Sequence, residues 1–503
     1  MKFPASSRHV LWVFLAVQGC LLLIRPGLLP VWGDEVGTLR ISTLPLDKMP
    51  DALRQDYHPP LYYALAHMWL RLPLPGLPVE RARVLSGLLL LLATWAIHKL
   101  WLQELDSRSR AWFLVLWTFS PCLLLYGRMA RPYALQVLLG CLAIHAGQRL
   151  VEALTSRRRG AVFALGALAL LYTHYAPGLA VAAGVNLLAV WIAVRRRQWP
   201  SLVSLATVDL LIALGYLPWV RHMLWSVAMT AQFRSYTPSA NPMLEHPIKL
   251  AYWFVSFTFG ETFPLWVVAL GLVVAPLLLV LVWRGLRQPP AWLAVVVPTG
   301  AIAYYGVARW VSFAFVPARL LFLLPFYLLL LVEGMGRSRR AGLLAGGLVL
   351  VSSAAATYSY FHQENFLSKA YVVPNEEIAR TILPRLPAAG ALLVIDAYNT
   401  SIHPVIRRLP ASVAAVFVGD DDWEKKLSER MAEGRAATIW YIRNTHDVSP
   451  QRVVSRLEKE LTTGRQVERF AFVRYSALDR LVMRLLGWPE QPSHMLQATE
   501  IRR

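Results

Sequence analysis

The sequence predicts an α-helical polytopic membrane protein followed by a small α/β domain. Three observations carry that expectation. The 503 residues are 56% hydrophobic and only 16% charged, and the apolar residues come in long blocks, a composition suited to lipid more than to water. The basic residues punctuate those blocks: "DSRSR" (106–110), "SRRRG" (156–160), "RRRQW" (195–199), "WRGLRQ" (283–288) and "GRSRR" (336–340) each stand between two apolar runs, as cytoplasmic loops do. From about residue 371 short apolar runs begin to alternate with charged stretches.

Segments of about 17 to 25 residues, the length that crosses a bilayer, fall near 9–30, 82–102, 110–126, 132–152, 160–175, 177–194, 201–221, 264–283, 291–309, 318–335 and 341–360, about eleven in all. The first follows Lys2, Arg8 and His9 and lacks a small-residue cleavage site, so it reads as an uncleaved anchor with its N-terminus in the cytoplasm. Alternation then places every arginine-rich loop on the cytoplasmic side of the cell (inner) membrane. The opposite face receives 32–81, 127–131, 173–177, 222–263, 310–317 and everything after 360. The segment 246–262 is short, aromatic and charged at both ends, the pattern of an interfacial or re-entrant helix.

The long first outer loop, 32–81, contains its own helix near 59–72. Pro59 and Pro60 open it, and Leu61, Tyr62, Leu65, Met68, Trp69 and Leu72 recur at helical spacing. Proline is tolerated at a first turn, and the amphipathic face suits a helix lying along the membrane surface. After a membrane domain of residues 1–360, the runs 391–397, 414–419, 436–443 and 467–476 read as buried strands, with helices over 421–434 and 449–464. Strand and helix alternation predicts an α/β domain over 371–503, extracytoplasmic because it follows the last span. No glycine-rich phosphate loop precedes its helices, so no nucleotide site is expected there.

Composition also excludes function classes. A formal charge of +21 could suggest nucleic acid, but such a protein concentrates its charge in a patch or stripe. Cys20, Cys122 and Cys141 all lie in apolar segments and fit neither a disulfide framework nor a zinc site. Asp420 and Asp422 form a DxD pattern in "GDDDWE" (419–424), yet they stand where a helix begins, and acidic residues are favoured there without any metal.

Asp34 and Glu35, in "VWGDEVGTL" (31–39), follow directly on the first apolar block. One carboxylate could take a proton from an acceptor hydroxyl; capping or solvating a helix end is the plainer role. The same outer face receives Arg128 and Arg131 from "LYGRMARPYAL" (125–135), Arg309 and Arg319 around another turn, and His58 and His174 beside two more. Arginine grips phosphate through a planar fork that stays charged near lipid, although each arginine alone could snorkel to the headgroups. An acid beside several cations supplies both halves of a group transfer from a lipid phosphate.

In order, "WGDEVGTLRIS", "DYHPPLYYALAHMWLRL", "ERARVLSGLLLLLATW", "ARPYALQVLLGCLA", "LLYTHYAPGL" and "ARLLFLLPFYLLLL" resemble bacterial membrane glycosyltransferases of the GT-C superfold, related to protein O-mannosyltransferases and to the aminoarabinose transferases of lipid A. The resemblance covers residues 1–360 and is specific only collectively. It implies transfer of a mannose-like hexose from a polyprenyl-phosphate donor to a hydroxyl of a protein, lipid or glycan at the outer face, with inversion, no cofactor and no indicated metal. By the resemblance Asp34 is the catalytic base and Glu35 its orienting neighbour. Arg131 holds the donor phosphate with Tyr133 lining the site, and His58 heads "HPPLYY" as a contributor to binding. Arg128, His174 and Arg319 are further candidates for substrate binding. Proline replaces the usual bulky residue after the arginine in "RPYAL".

Two other classes compete. A transporter or flippase of lipid-linked sugars favours ionisable residues in mid-span and paired broken helices, and the spans show neither pattern. A non-catalytic scaffold would use the α/β domain as a binding module, which leaves Asp34 without a purpose.

Overall fold

The computed structural model describes residues 5–53, 58–232, 242–286, 317–387, 390–396, 405, 408–410, 413–418, 422–432, 438–444, 451–485 and 494–502. The chain forms two compact units, residues 1–27 with 37–364 and residues 28–36 with 365–503.

The first unit is helical. Its helices are α1 (Ala5–Leu23), α2 (Gly33–Ser42, whose first residues belong to the second unit), α3 (Met49–Leu53), α4 (Leu61–Leu70), α5 (Pro78–Leu100), α6 (Ser107–Thr118), α7 (Pro121–Gly127), α8 (Tyr133–Glu152), α9 (Arg157–Leu171), α10 (Tyr175–Arg195), α11 (Trp199–Gln232), α12 (Pro242–Phe259), α13 (Leu265–Leu286), α14 (Leu324–Arg337) and α15 (Arg339–Phe361), with a 3-10 stretch, Pro317–Leu323, leading into α14. Among the described residues seven helices are long and apolar enough to cross a bilayer: Pro78–Leu100, Tyr133–Glu152, Tyr175–Arg195, Trp199–Ser226, Leu265–Leu286, Pro317–Arg337 and Arg339–Phe361. The pair α6 and α7, bent by 48°, makes an eighth if counted as one span. The chain is a multi-pass membrane protein.

The expected eleven spans are not reached among the described residues. The 9–30 segment is a shorter apolar helix, because Arg25, at φ 48°, and Pro26 end α1 early. The 160–175 segment is the 15-residue α9, closed by the turn at Tyr172. The 291–309 segment and Arg309 lie outside the described residues. The 246–262 segment falls on α12, an 18-residue helix that is not among the seven.

Local chemistry sets the helix boundaries. Asp106 accepts hydrogen bonds from the Arg108 and Ser109 amides at 2.9 and 3.1 Å, capping α6, and such caps satisfy amides a helix start leaves open. Ser120 is extended at φ −64°, ψ 118°, the conformation proline imposes on the residue before it, and this is where α6 breaks from α7. Helices α13 and α14 approach through glycine. A Cβ at Gly285 would collide with the Leu330 carbonyl and one at Gly334 with the Leu281 carbonyl, the small-residue contact that lets membrane helices close on each other.

Helix α4 forms where the sequence predicts a helix, but with a different buried face. Tyr62, Tyr63, Ala66 and His67 are buried, while Met68 and Leu72 are exposed. Its N-terminal amide, Leu61, donates to the Tyr172 carbonyl at 2.9 Å. The Tyr62 hydroxyl lies 2.9 Å from Ser86 Oγ, and His67 Nδ1 lies 2.9 Å from the Ser42 carbonyl. Polar partners on α5 and α2 therefore select the inward face, where hydropathy alone favours Met68 and Leu72.

The second unit holds a five-stranded sheet in the order β2-β1-β3-β5-β4, from β1 (Ala391–Asp396), β2 (Ala414–Phe417), β3 (Thr438–Asn444), β4 (Gln466–Arg474) and β5 (His494–Arg502). Strands β1, β2 and β3 are parallel, and β5 pairs antiparallel with both β3 and β4. Its helices are α16 (Asn375–Ile382), α17 (Trp423–Ala432), α18 (Gln451–Thr462) and α19 (Ala477–Leu485). Every residue of β1 is buried because both faces are covered, as parallel sheets require. Leu393 and Ile395 pack with Ile378 and Ile382 of α16; Leu392 and Val394 pack with Leu427 of α17 and Leu457 and Leu461 of α18. A buried ion pair, Lys369 Nζ to Asp479 Oδ2 at 2.8 Å, ties the start of this unit to α19. The segment 28–36 belongs to it as well. Asn375 donates to the Val31 carbonyl at 3.3 Å, and the Trp32 ring meets Tyr371 edge-on at 5.0 Å.

Candidate active site

Arg131 is the centre of the polar cluster in the first unit. It lies in the turn between α7 and α8 and is only 1% exposed. Its guanidinium donates to Thr38 Oγ1 at 2.8 Å and to the Tyr63 hydroxyl at 3.4 Å, and its other terminal nitrogen lies 3.3 Å from His58 Nε2. A buried cation is tolerable only with such partners. Four separate pieces of chain build the position: the α7–α8 turn, α2, α4 and the residue that precedes the Pro59–Pro60 pair.

His174 stands beside this group. Its ring meets the His58 ring edge-on with centroids 5.7 Å apart. It is the residue before α10, but its side chain makes no capping bond, and both ring nitrogens are buried without a hydrogen-bond partner among the described residues. Burial, reinforced by the nearby His58, Arg319 and Arg131 charges, holds its imidazole well below the ordinary value. Arg319 sits in the 3-10 stretch before α14, and its carbonyl accepts from Gln136 Nε2 at 2.7 Å, which fixes that stretch against α8. Arg131, His58, His174 and Arg319 thus come together from distant parts of the sequence, and the assembly is suited to an anionic group.

His174 makes stability depend on pH. Unfolded, the imidazole takes up a proton as pH falls through about 6.5; folded, it does not. The unfolded state then binds more protons, so the contribution to stability is present above that pH and lost below it. Melting temperature in detergent is expected to drop between about pH 7 and 5, and His174→Gln is expected to flatten that drop. An unchanged acid limb in the variant would remove His174 as its source.

Arg128 is placed differently. Its guanidinium donates to the carbonyls of Leu21, Ile24 and Arg25 at 2.6 to 2.7 Å, and it lies 5.4 Å from the Tyr360 ring centroid and 5.5 Å from that of Phe361. It thus closes the open carbonyls at the end of α1. Only three residues from Arg131, it is not brought to the His58 and His174 group. Tyr133 is the first residue of α8, buried, with its ring edge-on to Tyr126 at 5.6 Å.

Asp34 and Glu35 occupy the first turn of α2, with Glu35 fully buried. The sequence suggests a loop here; the structure gives a helix start, where carboxylates are favoured by the helix dipole. Thr38, in the second turn of the same helix, was not legible as a partner for Arg131, and neither was Tyr63. Both stand in quoted motifs, "WGDEVGTL" and "HPPLYY", but nothing in their spacing relates them. Asp422 precedes α17 and pairs with Lys426 at 2.7 Å on an exposed face, in keeping with a helix-start role; Asp420 lies outside the described residues.

No protein-family model matches the sequence, and no curated protein matches it. Among solved structures the chain is similar to ArnT from Cupriavidus metallidurans bound to undecaprenyl phosphate, at 13% identity and a TM-score of 0.55, over 99% of this chain and 98% of that one. It is also similar to the apo state of the same protein, at 14% identity and a TM-score of 0.51, over the same shares of both chains. At that identity the likeness is one of fold, and it extends over both units. The chain has the fold of ArnT.

Proposed function

We propose that this chain is a glycosyltransferase that moves a hexose, mannose-like, from a polyprenyl-phosphate-linked donor to a hydroxyl of a protein, lipid or glycan on the extracytoplasmic face of the cell (inner) membrane. The observation that carries the reading is the convergence of Arg131, His58, His174 and Arg319 on one buried polar position in a chain of apolar helices. The fold shared with ArnT, whose structure was solved with undecaprenyl phosphate, supports the lipid donor.

In this reaction Asp34 takes the proton from the acceptor hydroxyl. The acceptor oxygen attacks the anomeric carbon, the bond from that carbon to the phosphate oxygen breaks, and its electron pair leaves with the polyprenyl phosphate. The configuration inverts. Arg131 and Arg319 meet the charge developing on the leaving phosphate, with His58 and His174 beside them and Tyr133 lining the site. Glu35 orients the first turn of α2. Arg128 acts from outside the site by holding the end of α1. The donor enters as a substrate, and the reaction draws on no cofactor. The orientation that serves this chemistry has a cytoplasmic N-terminus and an extracytoplasmic C-terminal unit.

The test is transfer by the purified chain in liposomes, with a panel of radiolabelled polyprenyl-phosphate sugars and peptide, lipid and glycan acceptors. Release of polyprenyl phosphate from one donor, with label moving to an acceptor, is the expected result. Movement of intact donor across the bilayer without cleavage would establish the flippase reading instead.

A further inference from the structure

A buried carboxylate lies in the first unit, apart from the Arg131 cluster. Glu261 stands in the turn between α12 and α13 and is 1% exposed. Its Oε1 accepts hydrogen bonds from the Tyr126 hydroxyl at 2.6 Å and Ser256 Oγ at 2.7 Å, and its Oε2 accepts from the Tyr252 hydroxyl at 2.6 Å. Burial pushes its carboxyl up, against the pull of the Tyr126, Tyr252 and Ser256 hydroxyls. Burying a carboxylate is costly, and only good hydrogen bonds offset the cost. A chain that needed only packing here would be served by an apolar residue. The carboxylate instead gathers three hydroxyls from two helices, and one of them leads to the polar cluster.

The connection runs through α7. Tyr126 is held at its phenol by Glu261 and at its ring edge by Tyr133. Between these two tyrosines lies the turn that carries Arg131, where the Met129 amide donates to the Tyr126 carbonyl at 3.4 Å and the Arg131 amide to the Met129 carbonyl at 2.7 Å. The Glu261 turn is itself fixed. Gly260 adopts φ +80°, and a Cβ there would come within 2.5 Å of Pro121 Cβ at the head of α7. Thr262 Oγ1 donates to the Ala356 carbonyl of α15 at 2.9 Å. The α12–α13 turn is thus packed against α7 and pinned to α15, with Glu261 reaching inward to Tyr126.

We infer that Glu261 is a positioning residue: through the Tyr126 hydroxyl and the Tyr126–Tyr133 ring contact it fixes the turn that aims Arg131 at the donor phosphate. The inference rests on the proposed phosphate-binding role of Arg131. It assigns a task to a residue the sequence marks only as the charged end of an aromatic segment.

A double-mutant cycle tests it, with undecaprenyl phosphate binding to the full chain in nanodiscs as the readout and melting temperature recorded in parallel. Glu261→Gln keeps the shape but replaces one acceptor oxygen with a donor. It is expected to weaken binding about tenfold when Arg131 is present and less than about twofold in an Arg131→Ala background, because coupled residues are not additive. Tyr126→Phe, which keeps the ring and removes a single hydroxyl, is expected to follow the same pattern and serves if Glu261→Gln fails to fold. Equal losses with and without Arg131, tracking the fall in melting temperature, would make Glu261 structural and overturn the inference while leaving the phosphate site intact. If the wild-type chain bound no undecaprenyl phosphate, the proposed function would fall, and this inference with it.

Discussion

Asp34→Asn is expected to lower turnover by about a thousandfold, within the range a general base contributes, while leaving donor affinity near that of the unaltered chain. Asparagine has the same shape and is also favoured at a helix start, so α2 is expected to form, but its amide cannot accept the acceptor proton. A group that acts only in the chemical step lowers kcat and kcat/KM together and leaves KM in place. Radiolabel transfer under saturating donor, with KM from a donor titration, reads both quantities. Activity within threefold of the unaltered chain would return the acid pair to a helix-start role and require another base.

Arg131→Ala is expected to weaken undecaprenyl phosphate binding about 30- to 100-fold, the loss of about 2 to 3 kcal/mol that charge-assisted hydrogen bonds carry. Arg131→Lys is expected to recover little of it. Arg131 holds Thr38 and Tyr63 with one terminal nitrogen while the other faces His58, and an ammonium on a flexible stem cannot reproduce that planar geometry. Binding in nanodiscs across a salt series reads the loss. Full affinity in the lysine variant would show that a point charge suffices, and full affinity in the alanine variant would move the phosphate elsewhere.

Much of the fold is legible because lipid imposes a long wavelength on sequence. A span must be apolar over a whole bilayer thickness, so α5, α8, α10, α13 and α15 stand out whatever they pack against. The short elements are set by neighbours the sequence does not display. Strand β5 is an example: "HMLQATEIR" mixes polar and apolar residues without a clean alternation, yet Leu496 and Ala498 are buried in the core on one face of the sheet and Ile501 in the core on the other. The face of α4 is a second example, since hydrogen bonds from Tyr62 and His67 choose it.

The site divides in the same way. The residue types that could handle a phosphate are visible in the sequence, but their assembly is not. Arg128 and Arg131 are chemically identical and nearly adjacent, and nothing local says that the first meets backbone carbonyls of α1 while the second meets a threonine and a histidine. That difference comes from which groups lie across the turn, between 73 and 107 residues away in the chain. Glu261 is illegible in the sequence for a related reason: a single glutamate beside aromatic residues looks like a solvated end until its hydroxyl partners are known.

The Arg128 contacts also bear on how the chain is made. The guanidinium that closes α1 is supplied 103 residues after Arg25, one of the carbonyls it satisfies. At synthesis rates of about 5 to 20 residues per second, the end of the first helix waits roughly 5 to 20 seconds before its partner leaves the ribosome. During that interval those carbonyls must be met by water or lipid headgroups, so α1 stays at the bilayer edge until α5, α6 and α7 have arrived. Helix α1, made before its partner, is therefore among the later helices to lock.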